Sequence, residues 1–238
     1  MYEAVKELTN MPSVKWFGIT ILEPFTVLTN LMIAIACFYA YRNLKKKKLS
    51  ESKTQRYIRF FFLFMGFATI IGGVLGHAFL YVTGLYGKIP GWYISMAGVA
   101  LFERAAITHG RQYLNRKVGQ FFSILNYLEI VTFMTLSLVK LNFIFVEAHA
   151  FYGLFIVVFC FEYFVYLKSK DPSFRYLLIA TGLGILAALF HAFRLSINKW
   201  FNYNDVSHLA MTAAILFYYQ AALHINVNQI NDHNDSVS

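Results

Sequence analysis

The chain has 238 residues, of which 58% are hydrophobic and 14% are charged, and its formal net charge is +9. Because a soluble domain carries about 25% charged residues, this composition excludes an ordinary soluble domain and predicts a polytopic membrane protein. The basic residues lie mainly between apolar runs. That distribution argues against a nucleic-acid-binding surface and in favour of a role in membrane topology.

Seven apolar runs are long enough to cross a bilayer, since about 20 helical residues span its hydrocarbon core. We therefore predict an all-α integral membrane protein with a seven-transmembrane-helix bundle over residues 18–228. A polar segment at 1–17 precedes the bundle, and a disordered tail at 229–238 follows it. The predicted spans are 20–42, 57–83, 91–110, 121–140, 143–167, 174–196 and 206–227.

Apart from Arg104, which lies inside the third span, the Lys and Arg residues are distributed unequally between the two sides. Fourteen lie around the loops after the first, third and fifth spans, and six lie on the opposite side. Since cytoplasmic loops are enriched in Lys and Arg, we predict an external amino terminus and a cytoplasmic carboxyl terminus. No eukaryotic targeting signal is evident, so the expected location is a bacterial inner (cytoplasmic) membrane.

Polar side chains fall at the predicted outer ends of several spans, where each of them needs a partner. Glu23, Thr26 and Asn30 are spaced at i, i+3 and i+7, which places them on one face of the first helix. Asn204 and His208 share a face at the start of the seventh helix. We expect these side chains to line or brace a cavity that faces the outer leaflet.

Three histidines from different spans, His77, His191 and His208, fall at one depth. Neutral imidazole suits Zn²⁺, and three protein ligands plus water are typical of a catalytic zinc site, which activates the water as a nucleophile. Asp205 is the expected catalytic carboxylate, because it can orient a ligand histidine or take the proton of the water. His149, at a similar depth, is an alternate ligand or a further cavity residue.

The predicted inner half of the bundle holds four charged residues. Glu103 and Arg104 are neighbours, and we predict that they form a structural ion pair near the cytoplasmic interface. Glu129 and Glu162 lie in the same half. His109, at the cytoplasmic end of the third span, is expected in a solvated or interfacial position.

Three short motifs occur in the same order as in the alkaline ceramidases. Residues 23–30, with the pattern E-x-x-T-x-x-T-N, resemble the E-x-x-N-x-x-[ST]-N opening of those enzymes. Residues 72–78 are similar to their G-S-x-x-x-H-[AM] motif, and residues 204–208 are similar to their H-x-x-x-H motif. Together with the seven spans, the chain resembles a divergent member of the CREST superfamily, which includes alkaline ceramidases and adiponectin and progestin receptors.

This resemblance implies a seven-helix fold, zinc ligation by His77 and His208, and hydrolysis of a lipid amide. The chain departs from the family pattern at three places. Gly73 stands where the family has serine, Asn204 stands where it has a ligand histidine, and Ser95 lies in a segment that lacks the family's aspartate. We expect His191 and Asp205 to replace the missing ligand and the missing acid, and Ser95 to line the cavity.

Three functions are compatible with this pattern. The first is a zinc-dependent hydrolase of a lipid amide or ester. The second is a non-enzymatic lipid-binding or receptor-like protein with a structural metal or none, and the third is haem b ligation by two histidines. Expected partners are the lipid bilayer and a lipid-like ligand or substrate. A retinal Schiff base in the last span is excluded, because residues 206–227 contain no lysine.

Overall fold

The computed structural model describes residues 11–47 and 52–225, which form a helical bundle with a short β-hairpin at its start. The main elements are β1 (Ser13–Trp16), β2 (Ile19–Leu22), α1 (Pro24–Lys46), α2 (Lys53–Ala78), α3 (Ile89–Gly110), α4 (Arg116–Lys140), α5 (Ile144–Ser169), α6 (Ser173–Ala192) and α7 (Tyr203–His224). Each predicted span overlaps one of these helices. The predicted tail at 229–238 lies outside the described residues.

The β-hairpin is a feature that the hydropathy pattern did not predict. Its antiparallel strands are joined by Phe17 and Gly18, whose φ angles are 48° and 81°. Two successive positive φ angles suit a tight turn of the type I′ class, which matches the twist of the strands. Residues 18–22, expected in the membrane domain, therefore lie in the turn and in β2. Helix α1 begins only at Pro24, where a missing backbone N–H costs little.

Six helices (α1, α2, α4, α5, α6 and α7) are long and apolar enough to cross a membrane by length and composition. Many large apolar side chains are exposed on the outside of the bundle, among them Leu28, Ile35 and Val131. In water such a surface would favour aggregation, whereas lipid chains would accommodate it. These observations indicate a multi-pass membrane protein.

Helix α3 is not one of the six, and it carries Glu103 and Arg104 near its middle. It packs against α2, α4 and α5, and more than half of its residues are buried. A helix that is surrounded by other helices can hold polar side chains, provided that they find partners inside the bundle. The third predicted span is therefore an interior helix.

An aromatic cluster holds α2, α3 and α7 together. The ring of Phe61 stacks on that of Phe102 at a centroid distance of 4.5 Å, and Tyr218 meets Phe102 edge-on at 5.1 Å. Such pairs contribute about 0.5–1.5 kcal/mol each beyond the burial of their surface. Helix α7 also packs against α1 and α6. The ring of Phe201, just before α7, meets that of Phe25 at the start of α1. The start of α7 therefore lies beside the start of α1 and the hairpin, and we call this region the hairpin end of the bundle.

Gly91 allows α3 to approach α2 closely. A Cβ atom at Gly91 would lie 3.1 Å from the backbone nitrogen of Gly72 and 3.2 Å from the carbonyl oxygen of Ala68, and backbone atoms cannot rotate away. We predict that Gly91→Ala lowers the free energy of unfolding by about 1–3 kcal/mol, as overpacking does. The measurement is thermal unfolding in detergent.

Gly182→Ala on α6 is the matched control, because no atom lies within 4 Å of the Cβ that it would add. This variant should melt at or above the temperature of the unchanged protein, since alanine favours a helix over glycine. Equal melting temperatures for the two variants would contradict a close approach of α2 and α3.

Candidate functional site

Glu23 joins three parts of the chain at the hairpin end. Its carboxylate accepts a hydrogen bond from His77 Nδ1 at 2.8 Å and another from Asn202 Nδ2 at 3.0 Å. The backbone nitrogen of Glu23 donates to the carbonyl oxygen of Pro12 at 2.7 Å. Burial alone would raise the pKa of the Glu23 carboxyl, but the hydrogen bond and charge of His77, the charge of Lys88 and the bond from Asn202 hold the pKa below its usual value.

The beginning of α7 is held by a reciprocal capping arrangement. The side chain of Asn202 accepts a hydrogen bond from the backbone of Asn204, and the backbone nitrogen of Asn202 donates to Asp205 Oδ2 at 2.7 Å. The other oxygen of Asp205 accepts a bond from Thr29 Oγ1 at 3.3 Å. Both oxygens of the buried Asp205 are therefore engaged.

The Thr29 hydroxyl extends this network to His208, because Thr29 Oγ1 lies 2.9 Å from His208 Nδ1. A hydroxyl that donates to the Asp205 carboxylate can still accept a hydrogen bond from an imidazole N–H. In that arrangement His208 Nδ1 carries the proton, and His208 Nε2 presents its lone pair. Polar contacts thus run from His77 through Glu23, along the start of α7, to His208.

A third histidine, His191 at the end of α6, is oriented by the beginning of α5. Its Nδ1 lies 2.6 Å from Glu147 Oε1. The rings of Tyr203 and Phe143 meet the imidazole edge-on, at centroid distances of 5.2 and 5.8 Å. The side chains of His191 and Glu147 are 27% and 37% exposed, so this part of the site opens towards the surface of the bundle.

All three predicted zinc ligands share one hydrogen-bonding pattern. The Nδ1 atom of each ring is held by an oxygen: Glu23 for His77, Thr29 for His208 and Glu147 for His191. Proteins orient metal-ligating histidines in this way, because the bond at one nitrogen directs the lone pair of the other. The start of α7, which carries His208, contacts the surroundings of both other rings: Asn202 bonds to Glu23, and Tyr203 meets His191. The three rings therefore border one polar region, which we call the histidine site.

The spacing of these rings is wider than the ligand set of one ion. Among the described residues, the ligand atoms of His77, His191 and His208 do not all lie within 4.8 Å of one another. Three imidazole ligands suit zinc. At the observed spacing, however, the three rings must move closer together before they can share one ion. His191 lies at the end of α6 and is partly exposed, so its side chain has room to move.

The predicted cavity residues have more modest roles. Asn30 Nδ2 donates to the carbonyl oxygen of Thr26 at 2.9 Å, and both residues are buried on α1 beside the network. Asn204 is partly exposed at the start of α7. The hydroxyl of Ser95 donates to the carbonyl oxygen of Trp92 within α3, and no described contact joins Ser95 to the histidine site.

His149 lies apart from the other predicted site residues. It is fully buried, with Nε2 3.1 Å from Glu129 Oε1 and 3.9 Å from Glu103 Oε1. Glu103 therefore faces His149, while the guanidinium of Arg104 lies over the ring of Tyr127, 4.0 Å from its centroid. The predicted ion pair between Glu103 and Arg104 does not form within the part of the chain that the structure describes.

His109 was expected in a solvated or interfacial position, and the structure excludes the solvated one. His109 is 1% exposed, and its Nδ1 lies 2.9 Å from Glu162 Oε2. Its Nε2 lies 4.0 Å from Asp171 Oδ2. This group links α3 and α5 to the start of α6, and it explains how Glu162 is tolerated inside the bundle.

Comparison with known proteins gives one match, to the model of a family of unknown function, DUF6962, over residues 25–227. The chain belongs to the DUF6962 family. The match contains all three histidines of the histidine site, while Glu23 lies just before it. No curated protein and no solved structure matches the chain. The likeness to the CREST superfamily therefore stays a prediction.

Sequence reasoning did not pair Glu147 with His191, or Thr29 with His208. Thr29 belongs to the motif at residues 23–30, and that motif could have indicated that Thr29 lies near a ligand histidine. Glu147 had only its position at the beginning of a span. Pairing across two helices depends on how each helix is rotated, and rotation cannot be read from local spacing.

Thr29 provides a test of the network. We predict that Thr29→Val lowers the free energy of unfolding by about 1–3 kcal/mol, because it leaves Asp205 Oδ1 and His208 Nδ1 without their partner. The measurement is thermal unfolding in detergent. Thr132→Val is the matched control, since Thr132 is exposed and its hydroxyl donates only to the carbonyl oxygen of Leu128 in the same helix. If both variants were equally stable, the network would contribute nothing.

Proposed function

We propose that this protein binds a zinc ion through His77, His191 and His208 and hydrolyses a lipid amide or ester. The proposal is carried by one observation: the Nδ1 atom of each ring is held by an oxygen. That arrangement leaves Nε2 of each ring available as a metal ligand. Three imidazoles are a common ligand set of catalytic zinc. When bound, zinc acts as a Lewis acid that activates water and polarises a carbonyl group.

The residues around the histidines divide into positioning and proton-accepting groups. Asp205, the expected catalytic carboxylate, is fully buried with both oxygens engaged, so it positions Thr29 and the start of α7. Glu147 is 37% exposed, and only its Oε1 contacts His191 in the described structure. Glu147 Oε2 is therefore the carboxylate oxygen of the site best placed to accept a proton.

The surroundings of the site favour a lipid substrate. The segment that links α6 to α7 exposes large apolar side chains, including Phe193, Ile197 and Trp200. Arg194 and Lys199 lie among them. Apolar and basic side chains in alternation suit the boundary between acyl chains and anionic headgroups. A lipid that enters there would bring its polar linkage to His191.

The basic loops support an orientation for the proposed protein. Of the 21 Lys and Arg residues, fourteen belong by sequence to the connections after α1, α3 and α5 and to the helix ends beside them, at the end opposite the histidine site. Cytoplasmic loops carry such an excess. In this arrangement the amino terminus and the histidine site face outward. The carboxyl terminus lies in the cytoplasm, and α3 supplies the seventh crossing. A bacterial inner membrane is the proposed location.

A second candidate function is a lipid-binding or receptor-like protein without turnover. It is favoured by the full engagement of Asp205 and Glu23, whose oxygens already bond to other residues. In this case the histidine site joins the helices, with a structural metal or none. An absorbance spectrum without a Soret band would exclude the haem b ligation that the sequence pattern also allows.

Metal binding by variants tests the first proposal. Each protein is loaded with Zn²⁺ in mild detergent and desalted, and the bound zinc is measured. The His208→Ala variant should hold one zinc ion per chain fewer than the wild type. The change Glu147→Gln should weaken zinc binding about 10–100-fold, as loss of an outer partner does. His224→Ala is the matched control, because His224 lies at the other end of α7 and contacts the carbonyl oxygen of Gln220.

The same proteins, assayed against a panel of lipid amides and esters, separate the two candidates. Zinc-dependent turnover that is lost in His208→Ala supports the hydrolase. The lipid-binding protein is supported if His208→Ala loses its zinc and the wild type hydrolyses no lipid of the panel. If the His208→Ala variant held as much zinc per chain as the wild type, zinc ligation at the histidine site would be contradicted.

A further inference from the structure

A second group of ionisable side chains lies inside the bundle, between α3, α4 and α5. Glu103 from α3 and His149 from α5 are fully buried, and Glu129 from α4 is 8% exposed. One ligand atom from each residue lies within 4.8 Å of the other two. Among the described residues, this is the one group of three or more such side chains that meets this distance. We call it the buried centre.

The polar atoms of the buried centre are poorly satisfied by the protein. Glu103 Oε1, both oxygens of Glu129 and both ring nitrogens of His149 are buried and have no hydrogen-bond partner among the described residues. By contrast, Glu103 Oε2 accepts a bond from Asn126 Nδ2 at 3.1 Å. A buried polar atom without a partner costs about 1–3 kcal/mol, and more if it is charged. Five such atoms in three neighbouring side chains point to a ligand.

The backbone of α5 is shaped around these side chains. Residues Tyr152–Val158 are π-helical, and π-helical turns within α-helices are frequent at functional sites. Gly153 lies against α3, where a Cβ atom would collide with Glu103 Oε1 and with the side chain of Val99. The absence of a side chain at Gly153 therefore lets α5 bring His149 beside Glu103.

We propose that Glu103, Glu129 and His149 bind a divalent first-row transition-metal ion. Carboxylates suit Mn²⁺, and imidazole suits Fe²⁺ and Zn²⁺, so the mixed set favours an ion of this class over Ca²⁺ or Mg²⁺. Two carboxylates offset the charge of a divalent ion, and the ion in turn offsets theirs inside the bundle. Asn126 holds Glu103 from outside the ligand set and orients it.

Two carboxyl groups that share a proton are the main competing explanation, because like charges at this distance favour the protonated form of one of them. That arrangement satisfies Glu103 and Glu129 but not His149, whose Nε2 lies 3.1 Å from Glu129 Oε1 without the alignment of a hydrogen bond and whose Nδ1 has no hydrogen-bond partner among the described residues. A metal ion engages all three side chains at once. The position of His149 therefore favours the metal.

Co²⁺ titration of the metal-free, full-length protein in detergent tests this proposal, with bound metal counted and the visible spectrum recorded. The change Glu129→Gln is expected to remove one bound Co²⁺ per chain and its visible bands. Asn126→Ala should weaken that ion's binding about 10–100-fold, as loss of an outer partner does. Glu162→Gln is the matched control, since Glu162 is a buried carboxylate of α5 that contacts His109 instead. It should leave Co²⁺ binding unchanged.

The histidine site and the buried centre fail separately in this experiment. An ion lost in His208→Ala alone reports on the proposed function, whereas an ion lost in Glu129→Gln alone reports on the buried centre. His149→Gln provides a second ligand variant if Glu129→Gln does not fold. Bound Co²⁺ should also raise the melting temperature of His208→Ala, which keeps the buried centre, but not that of the double variant His208→Ala/Glu129→Gln.

Two results would overturn the proposal. One is Co²⁺ binding that Glu103→Gln, Glu129→Gln and His149→Gln all leave intact. The other is a protein that binds no ion at the buried centre but shows the infrared band of a protonated carboxyl group, lost in Glu129→Gln. The second result would show that Glu103 and Glu129 share a proton instead of binding a metal ion.

Discussion

The hydrogen bonds of Glu23 are the interaction on which the hairpin end of the bundle depends. One carboxylate joins the segment before α1 to His77 on α2 and to Asn202 at the start of α7. The same backbone position, with φ of 44°, turns the chain from β2 into α1. A buried carboxylate must be satisfied by the protein, and its partners therefore fix how three elements meet.

The interior position of α3 decides where the second group of polar residues lies. A helix that faces lipid cannot carry a buried carboxylate without a partner. Because α3 packs against α2, α4 and α5, Glu103 can meet side chains from two neighbours. Gly153 permits this approach by leaving space beside the carboxylate. The histidine site and the buried centre thus arise from different helices: the first from α2, α6 and α7, the second from α3, α4 and α5.

Hydropathy alone predicted the helices well, and the reason is physical. Inside a bilayer every backbone polar group must be bonded within its own segment, so a long apolar run has few alternatives to a helix. Hydropathy did not predict the hairpin, because segment 18–22 is short and largely apolar and is followed directly by the first apolar run. His109 and His149 were misplaced for another reason. Depth along a helix can be read from the sequence, but the neighbour on each face cannot.

The sequence by itself determined the helical membrane architecture, the location of His77, His191 and His208 near helix ends on one side of the bundle, and the end of the bundle that is rich in Lys and Arg. These properties follow from local spacing and composition. Only the tertiary structure decided that Thr29 and Glu147 orient two of those rings, that Asp205 is a capping residue, and that His149 meets Glu103 and Glu129. The cap that Asp205 forms with Asn202 is local, but the bond from Thr29 to Asp205 and the contacts of Thr29, Glu147 and His149 join different helices. Their formation depends on helix rotation and packing, which are set by the whole bundle.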